Sequence, residues 1–379
     1  MLIFFLFHLV LSVTSREDVW ILVTCVLLLT VGHFYFFKNV LFEINLKVLV
    51  LFLVSVRLPY LFAEPLLSDD FHRFWWDGIL NSLGESPYAM KPSEFLVEFA
   101  EKQSLLRKMN STNYYSVYPP LMQWVFEFCY WIFKSRFVFG LKLVLLLLEV
   151  ALYTSLYRMN SRYKVFDFKN ILFLSLFPLL VLEGAGNLHF EVLMIPFFLM
   201  AFWSFQSKKT SIVISAFLMA IAIGIKLTMA PFLLLFIRGE KAKILWFLLL
   251  FFIFLLLPLL SIGYVDILHI EESLKLYYSS FEFNNLIYYA IREISMYFVG
   301  YNPIETYGFF YQILLFVLAV VLVRMCWVRK DEMNLYFLNV FFVFYFLFNP
   351  VIHPWYLLVP LTMIALKRNI IWEIASVVS

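Results

Sequence analysis

Apolar runs of close to membrane-spanning length follow one another along almost the whole chain. They lie at residues 2–15, 18–37, 44–63, 118–134, 137–157, 170–182, 188–205, 211–223, 227–237, 243–263, 306–328, 333–349 and 353–366. A transmembrane helix needs about 20 predominantly apolar residues. Lipid offers the backbone no hydrogen-bond partners, so such runs fold as helices or as a closed barrel. Their hydrophobicity is continuous rather than alternating, which excludes the barrel. Charged residues make up 15% of the chain, against about 25% in a typical soluble domain. The expectation is an all-α polytopic membrane protein of about twelve (10–13) transmembrane helices, some of them short or broken. No repeat, low-complexity tract or composition shift divides residues 1–379, which read as a single membrane domain.

The basic residues between the runs set an orientation. Lys38 and Lys47, Arg158, Arg162, Lys164 and Lys169, Lys208 and Lys209, and Arg238, Lys241 and Lys243 form the earlier groups. Arg324, Arg329 and Lys330, then Lys367 and Arg368, form the later ones. The positive-inside rule assigns all of them to the cytoplasm. The crossings then close if 118–134 lies along the outer interface while 137–157 crosses, and if 211–237 is split at Gly224–Lys226. The N-terminal MLIFFLFHLVLSVTS lacks a basic n-region and is followed at once by more apolar sequence, so it reads as an uncleaved first helix. Cys25, Cys129 and Cys326 sit within apolar segments without metal spacing. The formal charge of +3 is small, and nucleic acid is not an expected partner.

In this topology the polar groups suited to chemistry converge on the non-cytoplasmic face. They are Asp69/Asp70, YPPLMQ at 118–123, EGAGNLHFE at 183–191, Lys226, FEFNN at 281–285 and His353. Two non-spanning regions, 64–117 and 264–305, lie on the same face. In the first, Ser93 caps an expected helix through Met109, with Phe95, Leu96, Phe99 and Leu106 at helical spacing. In the second, 267–278 and 286–298 read as amphipathic helices in the interface plane, roofing a cavity that opens sideways to lipid.

The sharpest local signal is SDDFHRFWWDGILNSLGESPY at 68–88, which sets Asp69, Asp70, Arg73 and Asp77 directly after an apolar run. Two adjacent carboxylates so close to lipid are costly and mark a functional site. With YPPLMQ, EGAGNLHFEVLMIPF, GIKLTMAPFL, FEFNNLIYY and HPWYLLVPL following in order over roughly residues 60–360, the chain resembles the GT-C class of integral-membrane glycosyltransferases. It is most similar to bacterial polyprenol-phosphate-sugar mannosyltransferases and more distantly to the first GPI mannosyltransferase. The resemblance implies a polyprenyl-phosphate sugar donor, a glycan or lipid-linked acceptor, inversion at the sugar, and a site on the outer face of the bacterial inner membrane. It places the catalytic base at Asp69 or Asp70, with Asp69 favoured because its offset to Asp77 also matches the GPI enzyme, and with Arg73 and Asp77 structural or substrate-orienting. The chain departs from many relatives at His72 and Phe74, where they carry Tyr, and at Phe190 and Glu191, where they carry a polar pair.

Transfer from a lipid phosphate needs a carboxylate to take the acceptor's proton, worth roughly 10²–10⁴-fold. It needs cations for the departing phosphate, for which Lys226, Arg73 and Arg292 are the candidates. It needs polar groups for the sugars: Tyr118, Gln123, Glu183, Asn187, His189, Glu191, Asn284 and His353. The glycines at 78 and 84 lack the spacing of a nucleotide cradle, which favours a lipid-linked donor over a nucleotide sugar. No cofactor is required, although the Asp69/Asp70 pair is chemically able to bind a divalent cation. The alternative from another class is a transporter or flippase for a lipid-linked sugar; against it, no internal symmetry is visible and the polar groups are not at mid-membrane.

Overall fold

The computed structural model describes residues 2–39, 45–95, 100–163, 168–207, 211–237, 240–328 and 334–366. Among them every regular element is helical and no strand is present. The first helices are α1 (Leu2–Leu11), α2 (Val19–Asn39), α3 (Leu46–Leu61), α4 (Asp70–Ser82), α5 (Ala100–Lys108), α6 (Pro120–Phe133) and α7 (Phe137–Tyr163). Next come α8 (Phe168–Ser175), α9 (Pro178–Val181), α10 (Glu191–Gln206), α11 (Ile212–Ile225) and α12 (Lys241–Leu256). The rest are α13 (Tyr264–Ser279), α14 (Leu286–Phe298), α15 (Ile304–Val328), α16 (Asn334–Phe348), α17 (Leu358–Leu361) and α18 (Met363–Leu366).

By length and composition four helical stretches suffice to cross a membrane: Val19–Asn39, Pro120–Tyr163, Lys241–Ser261 and Ile304–Val328. A fifth is possible from the pair Phe168–Ser175 and Pro178–Gly186, which meet at 52°. The other expected crossings fall on shorter apolar helices of 10–17 residues, so helix length does not establish the count of twelve. The described parts of the apolar runs are nonetheless largely helical, and their buried faces share one large cluster of Leu, Phe, Val and Ile side chains. Large residues left on the surface, such as Trp124, Phe128 and Trp131 on α6, form a lipid-compatible outer face.

Three local expectations can be checked. The split near 224–226 is present: α11 ends at Ile225, Lys226 is extended (φ −161°, ψ 133°), and a 3-10 helix runs over Leu227–Phe236. The helix expected from Ser93 to Met109 is instead interrupted. A 3-10 turn at Pro92–Glu94 ends where Phe95 turns extended (φ −74°, ψ 128°), and α5 begins at Ala100. Phe95 leaves the helical path to pack edge-on against Trp76, 5.6 Å away, in a small cluster with Leu80, Leu106 and Met109. Leu96 and Phe99 lie outside the described residues, as do Lys164, Lys208, Lys209, Arg238, Arg329, Lys330, Lys367 and Arg368 of the basic groups. Finally, 118–134 forms α6, which packs along α4 and turns sharply into α7 at Lys134 (φ 47°). Gly78 permits the close approach of α4 to α6, since a Cβ there would stand 2.7 Å from the Phe126 carbonyl oxygen.

The two long non-spanning regions meet. Ser86 donates to Asp266 at 2.7 Å, Lys91 pairs with Glu272 at 3.1 Å, and the His269 ring stacks on Tyr115 at 4.0 Å. They therefore lie at the same end of the bundle. The second region is also clipped to the stretch before His353. Phe283 N–H donates to the Pro350 carbonyl at 2.9 Å and Ile352 N–H to the Phe283 carbonyl at 2.8 Å.

Candidate active site

Asp69 and Asp70 differ in what surrounds them. Asp69 occupies the residue before α4, and Arg16, from the α1–α2 connection, donates to both of its carboxylate oxygens at 2.7 Å. Asp70 opens α4. Its only side-chain hydrogen bond among the described residues is a long one, 3.5 Å, from Asn110. Burial raises the Asp70 carboxyl above the ordinary aspartate range; Lys226 and Asn110 act against that rise, while Asp69 and Glu191 add to it. Asp70 is thus the less committed carboxylate, and it lies within the electrostatic reach of Lys226 and Glu191.

Arg73 and Asp77 sit one turn apart on α4 and form a buried ion pair at 2.7 Å. The second Asp77 oxygen accepts from Ser116 at 2.5 Å and Gln123 at 2.9 Å. Arg73 also donates to the Tyr114 carbonyl at 2.8 Å and the Ser111 carbonyl at 3.2 Å. Tyr88 donates to the Tyr118 carbonyl at 2.5 Å. Arg73 and Asp77, expected to be structural or substrate-orienting, and Gln123, a candidate sugar contact, are placed where they staple the 85–118 loop to α4 and α6.

A second group assembles where α9 ends. Leu182–Gly186 forms a π-helical turn, a feature frequent at functional sites. Leu188 follows at φ 65°, a strained conformation for leucine that turns the chain sharply between Asn187 and His189. Within this turn Asn187 donates to Glu183 at 3.1 Å, and His189 Nε2 lies 3.5 Å from the same carboxylate oxygen. Glu191, the first residue of α10, is fully buried and paired with Lys226 from the break after α11. The Lys226 ammonium lies 5.9 Å from the Trp355 ring centroid and 5.7 Å from that of Tyr356. Trp355 stacks with His189 at 3.8 Å and with His353 at 4.3 Å, and His353 in turn stacks on Phe283 at 4.6 Å. This column joins the turn before α10, the 264–305 region and the 350–357 stretch.

Two candidates stand apart from that cluster. Arg292 is engaged by Glu282 at 2.6 Å and Glu293 at 2.8 Å. Asn284 is exposed at φ 56°, its N–H donating to Tyr289, while the neighbouring Asn285 caps α14. Phe74 and Phe190 are buried against each other at 5.1 Å and against Phe126. The sequence reading passed over Arg16, Trp355 and Tyr356. It also passed over a bundle-interior group: Arg57 paired bidentately with Glu149 at 2.7 and 2.8 Å, and Lys142 donating to the Tyr60 and Ala63 carbonyls. Charges inside the apolar runs 44–63 and 137–157 were the available signal for that group. Among the described residues no group of three or more His, Cys, Asp or Glu is placed to hold a metal ion.

The arrangement offers a half-buried carboxylate, an ammonium open to one side, and a buried polar cluster of Glu183, Asn187, His189 and Glu191. That combination can accept a proton and hold an anion at once. Residues 7–238, more than half of the chain, match the family described as alpha-(1->6)-mannopyranosyltransferase, N-terminal domain. No curated protein and no solved structure matches.

Proposed function

The chain belongs to the alpha-(1->6)-mannopyranosyltransferase family and is a mannosyltransferase; from that premise we propose that it uses a polyprenyl-phosphate mannose donor in a single inverting displacement. An acceptor hydroxyl, on a glycan or a lipid-linked glycan, attacks the anomeric carbon. The carbon–oxygen bond to phosphate breaks, the electron pair leaves with the lipid phosphate, and the hydroxyl proton passes to Asp70. Inversion makes an α product from a β-linked donor. The reaction takes place at the non-cytoplasmic face of the bacterial inner membrane.

The observation that carries this reading is the pairing of a sparsely bonded Asp70 with a partly exposed Lys226 in one electrostatic neighbourhood. Lys226 neutralises charge that grows on the leaving oxygen, a contribution realised mainly in the transition state. Asp69 is held by Arg16, so it supports the start of α4 rather than acting as base. Glu183, Asn187 and His189, buried together in the turn before α10, serve as the sugar contacts. The test is to supply reconstituted protein with labelled polyprenyl-phosphate mannose or, separately, nucleotide-linked mannose, together with a mannose oligosaccharide acceptor. Transfer from the lipid donor to an α-linked product is expected. Transfer from the nucleotide sugar alone would overturn the donor assignment.

A further inference from the structure

Lys226 already has an anion. Its pairing with Glu191 is lopsided: the ammonium side chain is 30% exposed, the carboxylate 0%. Glu191 Oε2 is buried without a hydrogen-bond partner among the described residues. The carboxylates that hold the fold together are finished differently. Glu149 spends both oxygens on Arg57, and Asp77 spends both on Arg73, Ser116 and Gln123. A buried oxygen left unsatisfied is costly, so an under-bonded carboxylate beside a candidate phosphate site calls for a role other than bracing.

We propose that Glu191 is a built-in competitor for the Lys226 ammonium, which retakes it after each transfer and so expels the lipid-phosphate product. This rests on the proposed role of Lys226 in holding phosphate. The donor is a phosphodiester with one negative charge. Breaking its bond to the sugar yields a phosphate monoester, which carries about −1.5 to −2 at neutral pH. A bare lysine would therefore hold the product more tightly than the substrate, and product release would limit turnover. A carboxylate fixed beside the ammonium acts at high effective concentration and weakens both. The lowered donor affinity is offset by faster departure of the product. The open side of Lys226, flanked by Trp355 and Tyr356, is where phosphate enters.

Glu191→Gln keeps the shape and one acceptor oxygen while removing the charge. Donor KM is expected to fall by about ten-fold, the scale of one charge-assisted contact. Inhibition by added polyprenyl phosphate should tighten by at least as much, and multiple-turnover kcat should fall more than the single-turnover rate. Glu191→Asp, which draws the carboxylate back, should move the same quantities the same way by less, and it decides the matter if the Gln variant does not fold. A donor KM that rises in these variants, or product inhibition that stays at the wild-type value, would overturn the inference. Lys226→Ala separates the two levels. If it leaves donor KM and product inhibition unchanged, the phosphate site itself is misplaced; if it raises donor KM while the Glu191 variants show no tightening, only the competitor role fails.

Discussion

Two adjacent aspartates can be told apart by substitution, because the structure gives them different work. Asp69→Asn removes an ion pair whose partners are both substantially exposed, Arg16 at 59% and Asp69 at 36%. Exposed pairs contribute about 0.2–1 kcal/mol, so even if all of it reached the transition state the rate would drop less than about six-fold. Asp70→Asn removes the proton acceptor and should cost about 10²–10⁴-fold in kcat, or about 2.7–5.5 kcal/mol of barrier. Stability moves the other way. Burial raises the folded-state pKa of Asp70. The stability it lends is therefore present below the ordinary aspartate pKa and lost as pH rises through the raised value. At neutral pH the ionised group opposes folding, so Asp70→Asn should melt no lower than wild type. The assay is mannosyl transfer from lipid donor to acceptor with purified variants, beside thermal unfolding in detergent. Asp69→Asn losing 100-fold or more while Asp70→Asn turns over normally would instead make Asp69 the base.

Other outcomes follow from the same geometry. Wild-type kcat should fall on acidification at a pH above that expected for an ordinary aspartate, because the base protonates at its raised pKa; a pH–rate profile measures this. Arg73→Ala should abolish stable expression, since stranding buried Asp77 costs about 3–5 kcal/mol. Glu149→Gln should likewise lower the melting temperature sharply, by stranding Arg57 in the bundle interior, whereas replacing both partners with apolar residues should restore much of it. Gly78→Ala should force α4 away from α6 and reduce activity through Asp70 placement, read as lower kcat at normal expression.

The apolar runs made the all-helical class legible, because backbone satisfaction in lipid leaves few alternatives. The break at Lys226 was also legible, from Gly224 and a charge between two apolar halves. Asp69, Asp70, His189, Glu191 and His353 could be picked out by charge and position, but not their partners. That Arg16 captures Asp69 across 53 residues, or that Trp355 stacks with two histidines, depends on tertiary placement that no local pattern encodes. Arg73, Asp77 and Gln123 have the composition of a substrate site, yet they are satisfied by protein groups around the 85–118 loop. Of the helix expected at 93–109, Ala100–Lys108 is present, while at its start Phe95 is extended and packs on Trp76, a tertiary contact that outweighs local periodicity.

In the proposed reaction donor phosphate binds Lys226 with the anomeric carbon turned toward Asp70. A cryo-EM structure with a non-transferable phosphonate analogue of polyprenyl-phosphate mannose tests it most directly. Expected are phosphonate oxygens within about 3 Å of Lys226 Nζ, the sugar beside Glu183 and His189, and Asp70 facing the anomeric carbon opposite the leaving oxygen. Phosphonate density at Arg292 or near Lys142, with Lys226 still paired to Glu191, would contradict it.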